Sequence, residues 1–206
     1  MKYLVLICMI LFFLNSTAQS PIKSLNDDDY GTIDGAYYKD TENNLDNYTG
    51  TWIYTNGTTS LTISLQKKIM MPFYYAPTSI YEDILIGEYR YIENGIEKIN
   101  TLSQLSLNLS EAIEYSIHGN IIVKQNSQYC KDCGPNDRKI LLMFKDPSCH
   151  ILGYDPQMIF QRVDSGGIQK LKLKFRTTSG MIVEEGVTPP CTEYKIPFGE
   201  YILIKQ

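Results

Sequence analysis

Residues 47–65 read NYTGTWIYTNGTTSLTISL and hold the only tryptophan of the chain. The stretch is polar in composition, yet Thr51, Ile53 and Thr55 alternate with Trp52 and Tyr54, the period of two that separates the faces of a β-strand. Asn56 and Gly57 follow, and both tolerate the positive φ that a two-residue hairpin turn demands. Beyond them Leu61, Ile63 and Leu65 alternate with Thr62, Ser64 and Gln66. One face is apolar and the other wet, so the segment is expected to be a hairpin lying between a core and solvent.

The same rhythm recurs down the chain. DILIGEYRYI (83–92) and IEKINTL (96–102) flank the turn signal Glu93, Asn94 and Gly95, and AIEYSIH (112–118) and NIIVK (120–124) flank Gly119. RKILLMFKD, PQMIFQRV, GIQKLKLKF, SGMIVEE and FGEYILIKQ follow, each bounded by Pro, Gly or Asp. About ten short strands with regular turn signals predict an all-β fold, an antiparallel β-barrel or strongly curved sheet. The spacing of Leu102, Leu105 and Leu109 allows one short helix. Residues 19–46, with NDDDYGTIDG and YYKDTENN, show neither period and are expected to form an irregular N-terminal arm, leaving 47–206 as a single barrel-like domain. Sixteen tyrosines suit half-buried sheet faces and binding surfaces, because Tyr packs its ring and keeps its hydroxyl wet.

Residues 1–18, MKYLVLICMILFFLNSTA, have the form of a signal peptide: Lys2, an apolar run, then Ser16, Thr17 and Ala18 for signal peptidase. The run is too short to span a bilayer. Sec export with cleavage after Ala18 is expected to release a soluble periplasmic or secreted chain with no membrane anchor. Cys8 follows Ile7 rather than a small residue, so lipidation there is not expected. The whole chain carries a net charge of −4, and loss of Lys2 leaves 18 basic against 23 acidic side chains. That balance, with no basic tract, argues against a nucleic-acid partner. KLKLKF (170–175) alternates Lys with Leu171, Leu173 and Phe175 as a strand with one solvated face.

The exported chain keeps Cys130, Cys133, Cys149 and Cys191, an even number in an oxidising compartment, so disulfides are the default. A Cys130–Cys133 bond closes a tight ring and staples little. The long-range pairings, joining that pair to Cys149 and Cys191, are therefore favoured, with the choice between them open. CKDC lacks the alternating α/β context of a redox pair, and a zinc site built on these cysteines with His150 lacks its second half-motif. Asp27, Asp28, Asp29 and Asp34 miss the twelve-residue calcium pattern, since Gly31 stands at a ligand position. Neither a metal nor another cofactor is expected.

No catalytic residue is assigned either. The chain has no G-x-S-x-G elbow, and His118 and His150 lack a partnered Ser and Asp at a recognisable spacing. Cys149 and His150 are neighbours, which on a strand face opposite ways. The pairs Glu82 with Asp83 and Glu111 with Glu114 read as surface acids, and Ser165, Gly166 and Gly167 as a turn rather than a phosphate loop.

AYYKDTENNLDNYTGTWIYTNGTTSLTISLQKK (36–68) and YEDILIGEYRYIENGIEKINTL (81–102) resemble the N-terminal half of a family of secreted proteins of unknown function from Bacteroidota, of the DUF6705 type. That resemblance implies lineage and compartment, not chemistry. Gly50, Thr51 and Trp52 are similar to the Gly-x-Trp that opens the first strand of lipocalin-like barrels. This second resemblance implies a structural role for Gly50 and Trp52, with Trp52 packed across a closed barrel end under a basic residue from a late strand, Arg176 or Lys205. Three function classes follow: a non-catalytic barrel holding a small apolar ligand, an extracellular module using Tyr74, Tyr75, Tyr81, Tyr89 and Tyr91 to hold a protein or glycan, and a hydrolase whose site assembles only in three dimensions.

Overall fold

The computed structural model describes residues 20–131, 133–135, 137–183, 185–186 and 188–206, so the expected signal peptide over 1–18 lies outside the described residues. The strands are β1 (Ile22–Ser24), β2 (Tyr37–Lys39), β3 (Gly50–Asn56), β4 (Thr59–Tyr75), β5 (Thr78–Glu93), β6 (Ile96–Asn100), β7 (Ile117–Val123), β8 (Lys139–Phe144), β9 (Pro156–Arg162), β10 (Lys170–Thr177) and β11 (Gly199–Lys205). Eight of them, β3, β4, β5 and β7 to β11, each pair antiparallel with the next, and β11 returns to β3. The result is a closed up-and-down barrel, consistent with a lipocalin-like fold. β6 folds back on β5 outside the ring, and the arm adds β1 and β2 in parallel to the distal half of β5.

Alternation fixes which side chains face the axis. Trp52, Leu61, Ile63, Leu65, Leu85, Tyr89, Ile140, Leu142, Phe160, Leu171, Leu173 and Leu203 come from alternate positions and belong to one continuous buried cluster. The axis of the barrel is thus a packed core, as small barrels require. Both ends are plugged as well. A 3-10 turn, Leu45–Tyr48, buries Leu45 and Tyr48 at one end. At the other end Tyr194 and Phe198 pack on Phe175, with ring centroids 6.4 and 4.7 Å away, while Ile196 is buried beside them.

The seam between β3 and β11 is short, with Ile53 opposite Ile204 and Trp52 opposite Lys205, and Gln206 N donating to Thr51 O at 3.0 Å. Trp52 is fully buried, and its Nε1 donates to Tyr48 O at 2.8 Å, so its one polar group is paired. Arg162 and Lys205 each place a cationic head 5.3 Å from the indole centroid. Of the two cations expected there, Lys205 is present and Arg176 is not. Arg176 lies toward the other end of β10, opposite Gln157, and stacks on Tyr129 instead. Gly50 has φ +111, a backbone conformation that side chains rarely adopt, and a Cβ on it would meet Lys205 Cε at 2.9 Å, so any other residue would be strained and would displace the end of the lysine.

Several expectations are corrected. Gly119 is not a turn between two strands: it lies inside β7 at φ +144, where the register shifts between His118 and Ile121. A Cβ there would meet Leu142 Cα at 3.2 Å, which is why glycine occupies this close crossing. SGMIVEE forms no strand in its described residues, because β10 and β11 already pair with each other and leave no edge for it. The leucine-spaced segment after residue 102 makes two 3-10 turns, Leu102–Ser106 and Ala112–Glu114, that cover the outer side of Ile84 and Ile86. Among the described residues no helix is long and apolar enough to cross a membrane.

The cysteines also pair differently from the favoured scheme. Cys130 is bonded to Cys133 and Cys149 to Cys191, with Cα separations of 5.1 and 5.9 Å. Cys133 N donates to Cys130 O at 3.3 Å, so a tight turn brings the first pair together, and both side chains pack under Tyr129 against Leu141 and Ile159. The second bond ties the 145–155 loop to the segment that plugs the barrel end.

Two stability outcomes follow. Gly50→Ala is expected to lower unfolding free energy by about 1–3 kcal/mol in urea titrations, the cost of a left-handed backbone and a displaced lysine. Loop-closure entropy assigns roughly 4 kcal/mol to the Cys149–Cys191 bond, which spans 42 residues, and about 2 kcal/mol to the three-residue one, so Cys149→Ser with Cys191→Ser should shift the urea midpoint about twice as far as Cys130→Ser with Cys133→Ser.

Candidate functional site

β5 and β7 pair over only three positions, Leu85 with Gly119, Ile86 with His118 and Gly87 with Ile117. Beyond Leu85 they part. β5 goes to β2, pairing Tyr81 with Tyr37 and Glu82 with Tyr38, while the bulge in β7 turns Asn120 toward the gap. A groove of about 560 Å³ opens along this split, on the outer face of the barrel. Its walls are mostly apolar: Ile84 from β5, Ile121 from β7, Leu141 and Met143 from β8, Phe73 from β4, and Ile113 from the crossing segment.

Glu82 lies in this groove with 2% of its surface exposed. Asn120 Nδ2 donates to Glu82 Oε2 at 2.8 Å and to Asp83 O at 3.1 Å, and the Tyr30 hydroxyl from the arm donates to the same Oε2. Burial pushes the Glu82 carboxyl above the usual glutamate range, against the pull of its two donors. The Tyr30 phenol is raised well above its ordinary value by burial and by the neighbouring carboxylate. His118 is held below the usual imidazole range by burial, and its Nδ1 lies 3.3 Å from Tyr115 O. The groove therefore presents a carboxyl held by fixed donors and the His118 imidazole among apolar walls, with Lys145, Asp146 and Asp155 also lining it.

The acid pairs named from sequence take structural roles. Glu82 and Asp83 are both buried rather than surface acids, and they face opposite ways: Asp83 accepts from Tyr37 Oη at 2.5 Å and from Asp40 N at 3.0 Å under the arm. Glu111 and Glu114 cap a 3-10 turn, with Glu111 N donating to Glu114 Oε2 at 2.9 Å. Asp27, Asp29 and Asp34 are spent on local contacts with Ser24 N, Lys23 Nζ and Ser79 N. Cys149 sulfur is bonded to Cys191, which removes it as a nucleophile beside His150. Gly50 and Trp52 stand at the closed end of the barrel, away from the groove, and the four cysteines lie in the loops that frame it. Among the described residues no group of three or more His, Cys, Asp or Glu side chains is placed to hold a metal ion.

Of the tyrosines singled out for a binding face, Tyr74 and Tyr81 are exposed near the tip of the β4–β5 hairpin, whereas Tyr89 and Tyr91 are buried in the barrel. Glu82 is the functional candidate that sequence reasoning passed over. Its signal was the run ILIG (84–87) that follows Glu82 and Asp83, which marks a strand covered on both faces and hence acids that are covered too.

The raised Glu82 carboxyl makes a pH-dependent outcome. A carboxyl whose folded value exceeds its unfolded one binds its proton more tightly when folded, so its stabilising share is complete below the unfolded value and is lost as pH rises through the folded one. Glu82→Gln removes that loss. Thermal melts of the variant and the wild type from about pH 4 to about pH 7 should therefore show the difference in Tm moving steadily in the variant's favour as pH rises.

No curated protein and no solved structure matches this chain. A family model does match, over residues 1–206. The chain accordingly belongs to DUF6705, a family of unknown function.

Proposed function

We propose that the protein is an exported, non-catalytic barrel that binds a small, mostly apolar molecule in the outer groove between β5, β7 and β8, with the hydrogen-bond donor end of that molecule at Glu82. The observation that carries this reading is the buried Glu82 carboxyl in a groove whose walls are Ile84, Ile121, Leu141 and Met143. Apolar walls supply most of the affinity of such sites, and one fixed polar group sets orientation. The interior of the barrel is not the site in this reading, because its inward side chains already fill it. Two disulfides are compatible with an extracellular location. The leader over 1–18 and the likeness to secreted Bacteroidota proteins point the same way.

A hydrolase would draw on the same Glu82 and His118. The donors from Tyr30 and Asn120 hold Glu82 as a fixed acceptor, and the nearest recorded partner of His118 Nδ1 is a backbone carbonyl, an arrangement suited to holding rather than to proton transfer. The reading as a module for an extracellular protein or glycan rests on the exposed Tyr74 and Tyr81 near the hairpin tip, which continue the apolar surface of Phe73 and Ile113 at the end of the groove.

Calorimetric titration with decylamine, decanol and decanoate distinguishes these readings. The groove is expected to prefer the amine to the carboxylate by about tenfold or more, since a cation meets Glu82 and an anion is repelled. Glu82→Gln should level the series. Equal affinity for all three in the wild type, or a preference that survives Glu82→Gln, overturns the assignment.

A further inference from the structure

A second groove, of about 260 Å³, lies over the outer faces of β9 and β10 and has the opposite chemistry. Lys139 on β8 stands opposite Gln161 on β9, and Gln161 stands opposite Lys172 on β10, so the two lysines flank one amide. Lys174 follows two residues along β10 on the same face, opposite Ile159 and Glu200. Strand spacing places these three stems within roughly 10 Å of one another. Lys131 reaches the groove from the 124–138 loop. Among the described residues the only carboxylate lining it is Glu200, 2.9 Å from Lys172 Nζ. Lys172, then Lys174 and Lys139, hold the Glu200 carboxyl below the usual glutamate range, so all three ammonium groups act on this one spot.

Like charges at neighbouring sheet positions repel, and the chain as a whole is acidic, so a convergence of four lysines on one acid is costly unless an anion joins it. The wall of the groove is also built rather than loose. The Cys130–Cys133 bond lies in the loop that carries Tyr129, and that loop packs on Leu141 and Ile159 of β8 and β9. Arg176 stacks 4.8 Å from the Tyr129 ring centroid, and its buried Nε has no hydrogen-bond partner. Lys139 Nζ donates to Tyr129 O at 3.2 Å. Tyr129 is thereby held at the rim by a stacked cation, a hydrogen bond and a disulfide.

We propose that this groove is a binding site for an acidic saccharide. A carboxylate or sulfate ester sits among Lys139, Lys172 and Lys174, where charge-assisted hydrogen bonds are available. Sugar hydroxyls meet the amides of Gln128 and Gln161 and the carboxylate of Glu200, and the apolar face of a sugar ring lies against Tyr129. The mixture of amide, acid and aromatic groups among the lysines favours a sugar over a bare phosphate chain, which has no hydroxyls to address Glu200. The site is independent of the Glu82 groove and shares no lining residue with it.

The test is interferometry of the full mature chain with a heparin-derived octasaccharide, an oligogalacturonate of similar length, cellohexaose and a single-stranded oligonucleotide. Binding to at least one acidic saccharide, weakened by salt as exposed charges are screened, supports the site, and the stronger of the two identifies sulfate or carboxylate as its ligand group. Lys174→Glu should weaken that binding by about tenfold or more, whereas Lys98→Glu, on β6 and with the same change in net charge, should leave it unaltered. Near-UV circular dichroism of both variants checks that the barrel is intact, since both side chains point outward. No binding to either acidic saccharide, equal binding of cellohexaose, tighter binding of the oligonucleotide, or equal loss in the two variants overturns the proposal.

Discussion

A ring of antiparallel strands contains one junction that no connecting turn can make, that between its first strand and its last. In this barrel the junction is β3 against β11, with two registered residue pairs and one further backbone bond from Gln206. Side chains hold what the backbone holds only briefly. Trp52 lies under Lys205 and Arg162, Gly50 makes room for the lysine stem, and the turn before β3 accepts the indole N–H. That turn is itself tied down by Asp40, whose carboxylate accepts from Asn44 N and Leu45 N, both at 2.9 Å, and from Lys67 Nζ at 3.0 Å. Three donors satisfy this buried carboxylate, which is the condition for placing it beneath a closed barrel end.

Closure has a consequence for where chemistry can occur. Once the ring is shut, alternate side chains have no destination except the axis, and an eight-stranded barrel is only wide enough for them to fill it. The grooves accordingly lie on the outside. There three segments lie on the sheet: the arm on Ile80, the 102–115 crossing on Ile84 and Ile86, and the disulfide loop on Leu141 and Ile159. The grooves are the strips these covers leave between them. The apolar one exists because β5 serves two neighbours, β7 near the barrel and β2 beyond it, and cannot follow both.

Much of the barrel was legible in the sequence because its cause is local. A period of two around Trp52, an Asn-Gly turn and repeated strand lengths suffice to specify hairpins, and hairpins in series suffice for a meander. What was not legible depends on partners distant in the chain. SGMIVEE has strand composition but forms no strand in its described residues, since whether an edge is vacant is a property of the finished ring. Gly119 looked like a turn because a glycine at a bulge and a glycine at a turn satisfy the same backbone need. The disulfide pairing failed for a related reason: loop-entropy reasoning favours long closures, but sulfur can only bond sulfur brought within reach, and the local turn between Cys130 and Cys133 does that. Glu82 was misplaced on the surface because the cover that buries it, Tyr30 with Asn120, comes from segments 52 residues before it and 38 residues after it.

The two grooves also explain why so tight a disulfide has a place in this fold. β8 sends Leu141 and Met143 outward into the apolar groove and Lys139 outward into the basic one, so a single strand edges both. What keeps the two chemistries apart is the loop between β7 and β8, whose Gln128, Tyr129 and Lys131 face the basic side while Cys130 and Cys133 pack on Leu141 and Ile159. A ring of three residues removes little entropy from the unfolded chain, so its contribution to stability is the smaller of the two bonds. Its effect is on shape: it gives a loop with no helix or strand of its own a fixed apolar base. With that base the two proposed sites stand a few strands apart with separate linings.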